Sequence, residues 1–164
     1  MEILTSHLIP FTSHLIPHTV YLTSHTSHLL PLTPYHMNDF YYRKLDVYHQ
    51  SLQLVKNVYQ ISSCFPTQER NALSNQMQRA AVSVPCNIAE GMGRFSIKER
   101  IHFVEIANGS LMEVMCQLEI AYQLGYIRME QMQEQERLVS EIARMLFGLR
   151  KSFEEKNNRI INNM

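Results

Sequence analysis

Two short patterns place a carboxylate and an imidazole one helical turn apart: Glu99-Arg100-Ile101-His102 and Asp46-Val47-Tyr48-His49. Glu-x-x-His puts both side chains on one face of a helix, and two such pairs on facing helices of a bundle can hold a di-metal centre. The chemistry would be metal-assisted and enzymatic. In this chain both histidines miss the apolar rows of their helices. His102 shares a face with Lys98 and Glu105, and His49 with Gln53, Lys56 and Gln60. Glu99 also stands at capping distance from Ser96. A di-metal enzyme is therefore the minor alternative, and no catalytic residue, metal ligand or cofactor is expected. No nucleophile–base pairing is visible. Gly91-Met92-Gly93 closes a helix instead of following a strand, so it does not match a phosphate-binding loop.

A second constellation is polar and periodic. Gln76, Arg79, Ser83, Asn87, Glu90 and Arg94 are spaced 3-4-4-3-4, which lines them along one side of a helix beside its apolar row. Asn108, Ser110, Glu113 and Gln117 fall in or beside the apolar rows of the next helix. Glu90 and Arg94 form an i,i+4 pair in the favourable order. Such a stripe is either a binding groove or a hydrogen-bonded network between helices or subunits. The network is the favoured reading, because polar groups beside a core must be paired and partners on adjacent helices are close.

These residues are positioned by four helical stretches. In the first, Tyr48, Leu52, Val55 and Tyr59 form one apolar row, and Val47, Leu54, Val58, Ile61 and Phe65 form another beside it. Pro66 ends that helix, and Thr67 is expected to cap the second. The second runs from about Gln68 to Met92 on Leu73, Met77, Ala80, Val84 and Ile88. It contains Pro85, where a kink is expected, and it closes on Gly91 and Gly93. Ser96-Ile97-Lys98-Glu99 has capping-box spacing and starts the third. One row of the third is Ile97, Ile101, Val104, Leu111, Met115, Leu118 and Tyr122. The other is Phe103, Ala107, Ser110, Val114, Gln117, Ala121 and Leu124. Gly125 stops it. The fourth, from about Met129 to Phe153, carries Leu138, Ile142, Met145, Leu149 and Phe153. Short loops make successive helices antiparallel, so the expected fold is an all-α, up-down-up-down four-helix bundle. No alternation suggests a strand.

That topology gathers charge. The start of the first helix, the turn between the second and third, and the end of the fourth share one end of the bundle. Arg43, Lys44, Arg94, Lys98, Arg100, Arg150 and Lys151 collect there, with Lys156 and Arg159 beyond them, and outnumber the nearby acids. A solvated face is the plain reading. The sharper one is a site for a nucleic-acid backbone or a protein partner, with Arg94 at the turn as its leading residue.

The residues Gln76-Met77-Gln78-Arg79-Ala80-Ala81-Val82-Ser83-Val84-Pro85-Cys86-Asn87-Ile88-Ala89-Glu90-Gly91 resemble the signature of the four-helix-bundle proteins encoded in 23S rRNA intervening sequences, also called S23 ribosomal proteins. Phe103-Val104-Glu105-Ile106-Ala107-Asn108-Gly109-Ser110-Leu111-Met112-Glu113 resembles that family's second signature, and Leu124-Gly125-Tyr126-Ile127 the end of its third helix. The resemblance covers about residues 40–153. It implies a left-handed bundle assembled as a homopentamer, without catalytic residues and not a regular ribosome component. It also implies kinship with the accessory variability determinant of diversity-generating retroelements, a pentamer that binds nucleic acid and a reverse transcriptase.

The chain as a whole has 164 residues, one domain's worth, with Lys plus Arg equal to Asp plus Glu. No global field draws it to nucleic acid or membrane. Cys64, Cys86 and Cys116 are scattered and form no C-x-x-C, consistent with reduced thiols in the cytoplasm. No apolar run approaches a membrane span.

Residues 1–36 are a different material. They hold one charged residue, Glu2, and six of the eight histidines. Threonine recurs every seven residues at Thr5, Thr12, Thr19, Thr26 and Thr33, around repeats of Thr-Ser-His-Leu-Ile-Pro. Pro10, Pro17, Pro31 and Pro34 forbid a continuous helix. A low-complexity, disordered tail, a translated tandem repeat ahead of a start at Met37, is expected, with histidine-mediated metal binding as the alternative. Residues 37–164 form the bundle domain. The function expected is a non-enzymatic scaffold that binds protein partners, with weak backbone-type nucleic-acid binding at its basic end. The alternative is an RNA- or DNA-binding accessory factor of a retroelement or rRNA insertion.

Overall fold

The computed structural model describes residues 40–163; the repeat segment lies outside them. Four helices follow in order: α1 (Asp46–Ser63), α2 (Leu73–Gly93), α3 (Ile97–Gln123) and α4 (Met129–Asn162). A 3-10 turn, Tyr41–Lys44, precedes α1, and a second, Thr67–Glu69, lies between α1 and α2. Among the described residues there is no strand. α1 packs on α2 and α4, and α3 packs on α2 and α4. The diagonal pairs, α1 with α3 and α2 with α4, make no close backbone approach. This is the up-down-up-down bundle that the short loops require.

The core is one continuous apolar layer. Leu54, Met77, Ile88, Leu111, Leu118, Ile142 and Leu146 are its largest fully buried side chains. Each contributes roughly 1.5–3 kcal/mol by leaving water. In α1 the row Val47, Leu54, Val58, Ile61 and Phe65 faces inward, whereas Leu52 and Tyr59 of the other row are exposed. α4 points Met132, Val139 and Leu146 inward together with Ile142 and Phe153. Two buried polar residues also serve the packing. Ser51 donates to the Tyr48 carbonyl at 2.6 Å. Gln135 of α4 accepts a bond from the Asn57 amide of α1 at 3.0 Å.

The helix ends depart from the sequence reading in three places. α2 begins at Leu73, and Thr67 does not cap it. The 3-10 turn separates Thr67 from the free N–H groups of the helix, and the Glu69 carboxylate accepts the Leu73 N–H at 3.4 Å. The same carboxylate accepts the Tyr126 hydroxyl at 3.1 Å, tying this loop to the α3–α4 turn. At α3, Ser96 occupies the N-cap but its hydroxyl makes no cap bond. The reciprocal side-chain bond expected there occurs at α4 instead, where Gln131 Oε1 accepts the Arg128 N–H at 3.1 Å. α4 also runs well past Phe153, to Asn162. α2 continues as helix through Pro85.

Gly125 does stop α3. Its φ of +74° lets the Tyr126 N–H reach the Ala121 carbonyl and its own N–H reach that of Tyr122, at 2.8 and 2.9 Å. That is a Schellman closure, which favours glycine at this position. No helix among the described residues is long and apolar enough to cross a membrane.

Candidate functional site

The polar stripe becomes a seam between α2 and α3. Asn87 Nδ2 donates to both the Ser83 carbonyl and the Ser83 hydroxyl, at 2.8 and 2.9 Å. The Ser83 and Ser110 hydroxyls are 2.8 Å apart across the two helices. Ser110 donates in turn to the Ile106 carbonyl at 3.1 Å. Because the Ser110 proton is used there, Ser83 donates to Ser110. The result is a directed chain from Asn87 through Ser83 and Ser110 to the α3 backbone. Glu113 accepts from the Gln117 amide at 3.0 Å, within α3. Gln76 and Arg79 are exposed and line a groove of about 420 Å³ with Ala80, Ser83, Ser110 and Glu113.

Asn108 does not join this seam. It lies on the other flank of α3, in a groove of about 290 Å³ lined by Val104, Glu105, Ala143, Leu146, Phe147 and Arg150. Two residues apart on a helix means about 200° of rotation, so Asn108 and Ser110 cannot share a flank.

The seam ends in a tight junction. A Cβ placed on Gly91 would lie 2.9 Å from Phe103 Cβ, so α2 and α3 approach closely only because this residue has no side chain. Gly91 is buried and helical, and its part is close packing more than closure. Immediately beyond it, the Arg94 side chain pairs with Glu90 and lies over the Phe103 ring, 4.7 Å from its centroid. Arg94 also offers its carbonyl to Arg100 Nε at 2.7 Å. The guanidinium that the sequence puts forward as the leading contact is thus largely occupied in holding the junction.

The remaining candidate cations divide into two groups. Arg150 is bonded to Glu105 of α3 and to Glu154, each at 3.1 Å. Arg100 sits 6.0 Å from the Phe153 centroid, and Lys156 sits 5.9 Å from the same ring. Arg43 lies over the rings of Phe40 and Tyr42. Lys44, Lys98 and Lys151 are exposed and make no ion pair among the described residues. The Arg150–Glu105 bond and the contact of Arg100 with the Phe153 ring bring the stretch of α4 that carries Lys151 level with the first turns of α3. The 3-10 turn carrying Lys44 packs against α2. Three unpaired ammonium groups from three elements therefore share one end of the bundle.

Sequence reasoning missed Phe95. It sits at the tip of the α2–α3 turn, between Arg94 and Lys98, and its relative exposure is 101%. The signal was available, since Phe95 belongs to neither the apolar row of α2 nor that of α3. The histidine patterns build no site. His49 is exposed and bonded to the Arg43 carbonyl at 2.8 Å. His102 is exposed and edge-on to Phe103. They stand on the diagonal helices α1 and α3, and among the described residues no three His, Cys, Asp or Glu side chains converge.

An antiparallel four-helix bundle with a hydrogen-bonded α2–α3 seam, a glycine junction and a lysine-bearing end is the class this chain defines. The model of the 23S rRNA-intervening sequence proteins matches residues 43–148, and the chain belongs to that family. It is similar in fold to a crystal structure of a protein of unknown function from the S23 ribosomal protein family of Bacteroides thetaiotaomicron VPI-5482. The TM-score is 0.60 at 24% identity, over 64% of this chain and 95% of that one. No curated protein sequence matches the chain.

Proposed function

We propose that this protein is a non-catalytic binding scaffold whose basic end holds the phosphate backbone of a nucleic acid. One observation carries the reading. Lys44, Lys98 and Lys151 belong to three elements at the same end of the bundle, and none of them makes an ion pair among the described residues. An unpaired surface ammonium loses little on meeting a phosphate and releases the counterions condensed on it. In a homopentamer, the assembly that the family resemblance implies, five copies of this end would act together and multiply a weak contact. The α2–α3 seam, by contrast, spends most of its polar groups internally, which suits a rigid support.

The test is binding of RNA and DNA duplexes at low and moderate salt, with the mass of the native assembly measured in parallel. Binding that falls steeply with salt and is lost in the Lys98→Glu, Lys151→Glu double variant supports the proposal. Absence of binding at low salt, or binding indifferent to both reversals, rejects it.

A further inference from the structure

We infer that Phe95 stacks on an unpaired base, so that the basic end prefers single-stranded nucleic acid to duplex. This assignment rests on the backbone-binding reading above and narrows its partner. Phe95 is fully exposed, at 101%. It lines neither of the grooves that flank α3, and at that exposure both faces of its ring are open to solvent. Leaving a phenyl ring wholly in water forgoes the gain of burying it. The α3 rows that start just beyond it bury Val104 and Ala107 without it.

The surroundings of the ring select the partner. Lys98 follows three residues on, exposed and without an ion pair among the described residues, and the Arg94 and Arg100 guanidiniums, though engaged with Glu90 and the Arg94 carbonyl, add positive charge on either side. An aromatic face among cations is the combination that holds single strands: stacking takes the base and the cations take the backbone. A duplex offers the same phosphates, but its base faces are covered by their neighbours, so the ring adds nothing there. An acidic peptide would satisfy the charges and leave the open ring faces without a planar partner.

The turn is held independently of Phe95. Gly91 against Phe103, and Arg94 on Glu90 and Phe103, fix its path. Substitution at the tip should therefore leave the fold intact. The chain has no tryptophan, so Phe95→Trp introduces its single tryptophan at the proposed contact, excitable at wavelengths where the tyrosines do not absorb.

The experiment uses the full chain, a short mixed-sequence RNA strand, the same strand annealed to its complement, and polyglutamate. The expected result is that Phe95→Ala weakens single-strand binding about tenfold and leaves duplex binding unchanged. Phe95→Trp should retain affinity, and its emission should be quenched by the single strand but not by duplex or polyglutamate. Equal single-strand affinity of wild type and Phe95→Ala, with Lys98→Glu still weakening both nucleic acids, overturns the stacking assignment and leaves the basic-end reading standing. Failure of every form to bind either nucleic acid overturns both. Quenching by polyglutamate equal to that by RNA also overturns the assignment, in favour of an acidic protein partner.

Discussion

The α2–α3 seam and the basic end of the bundle are both rich in polar side chains, and they use them in opposite ways. Along the seam, Asn87, Ser83 and Ser110 satisfy one another and the α3 backbone. At the end, Lys44, Lys98 and Lys151 remain unpaired among the described residues, and Phe95 stands clear of the fold. The difference follows from solvent. Beside a core, an unpaired hydroxyl or amide loses its water and costs free energy. At a bundle end, a lysine keeps its water and needs no protein partner. Periodic polar residues next to an apolar row therefore signal assembly of the fold, and scattered cations at helix ends signal what remains available to a partner.

The largest effect is expected at Gly91, in the seam. Gly91→Val forces a branched side chain into the space of Phe103, and overpacking of this kind costs about 3 kcal/mol. A fall of roughly 10 °C in the melting temperature is expected, read by circular dichroism, and an unchanged melt would mean that the junction is not tight. Lys98→Glu tests the other region. It should leave the melt unchanged, weaken nucleic-acid binding about tenfold at low salt, and flatten the slope of log affinity against log salt by about 1. A variant that melts early, or binds as wild type, would erase the distinction between seam and end.

Ser83→Ala is milder. Asn87 still reaches the Ser83 carbonyl and Ser110 still reaches that of Ile106, so the loss should be about 1 kcal/mol in a urea titration. A loss several times larger would mean that the chain of hydroxyls acts as one cooperative unit. The smallest effect is expected at Gly109, on the same helix as Phe103 but with nothing within 4 Å of its would-be Cβ. Gly109→Ala should stabilise by about 0.5–1 kcal/mol through helix propensity alone. Destabilisation would place a contact on that outer face, such as a second copy of the chain.

Much of the fold was legible in the residues. Four periodic stretches, the glycine after Leu124, and the proline after Phe65 announce the helices and their order. The chain pattern of Asn87, Ser83 and Ser110 also pointed to pairing across two helices. Other features were not legible, for definable reasons. α1 carries two apolar rows side by side, and periodicity alone does not say which turns inward. Thr67 is a good cap residue, but a 3-10 turn intervenes. The i,i+4 spacing announced the pairing of Arg94 with Glu90, but the Phe103 ring beneath the guanidinium comes from the next helix and was not legible.

The sequence by itself determined the helical class, the order of the elements, and the family. Those depend on local spacing, where each residue's neighbours at i+3 and i+4 are written in the chain. Only the tertiary structure decided that Ser110 meets Ser83 while Asn108 faces a groove beside α4, that Gly91 serves the approach of Phe103, and that Phe95 and three lysines are left without partners among the described residues. Those outcomes depend on which side chains of other helices arrive at the same place, and distance across the bundle is not encoded in distance along the chain.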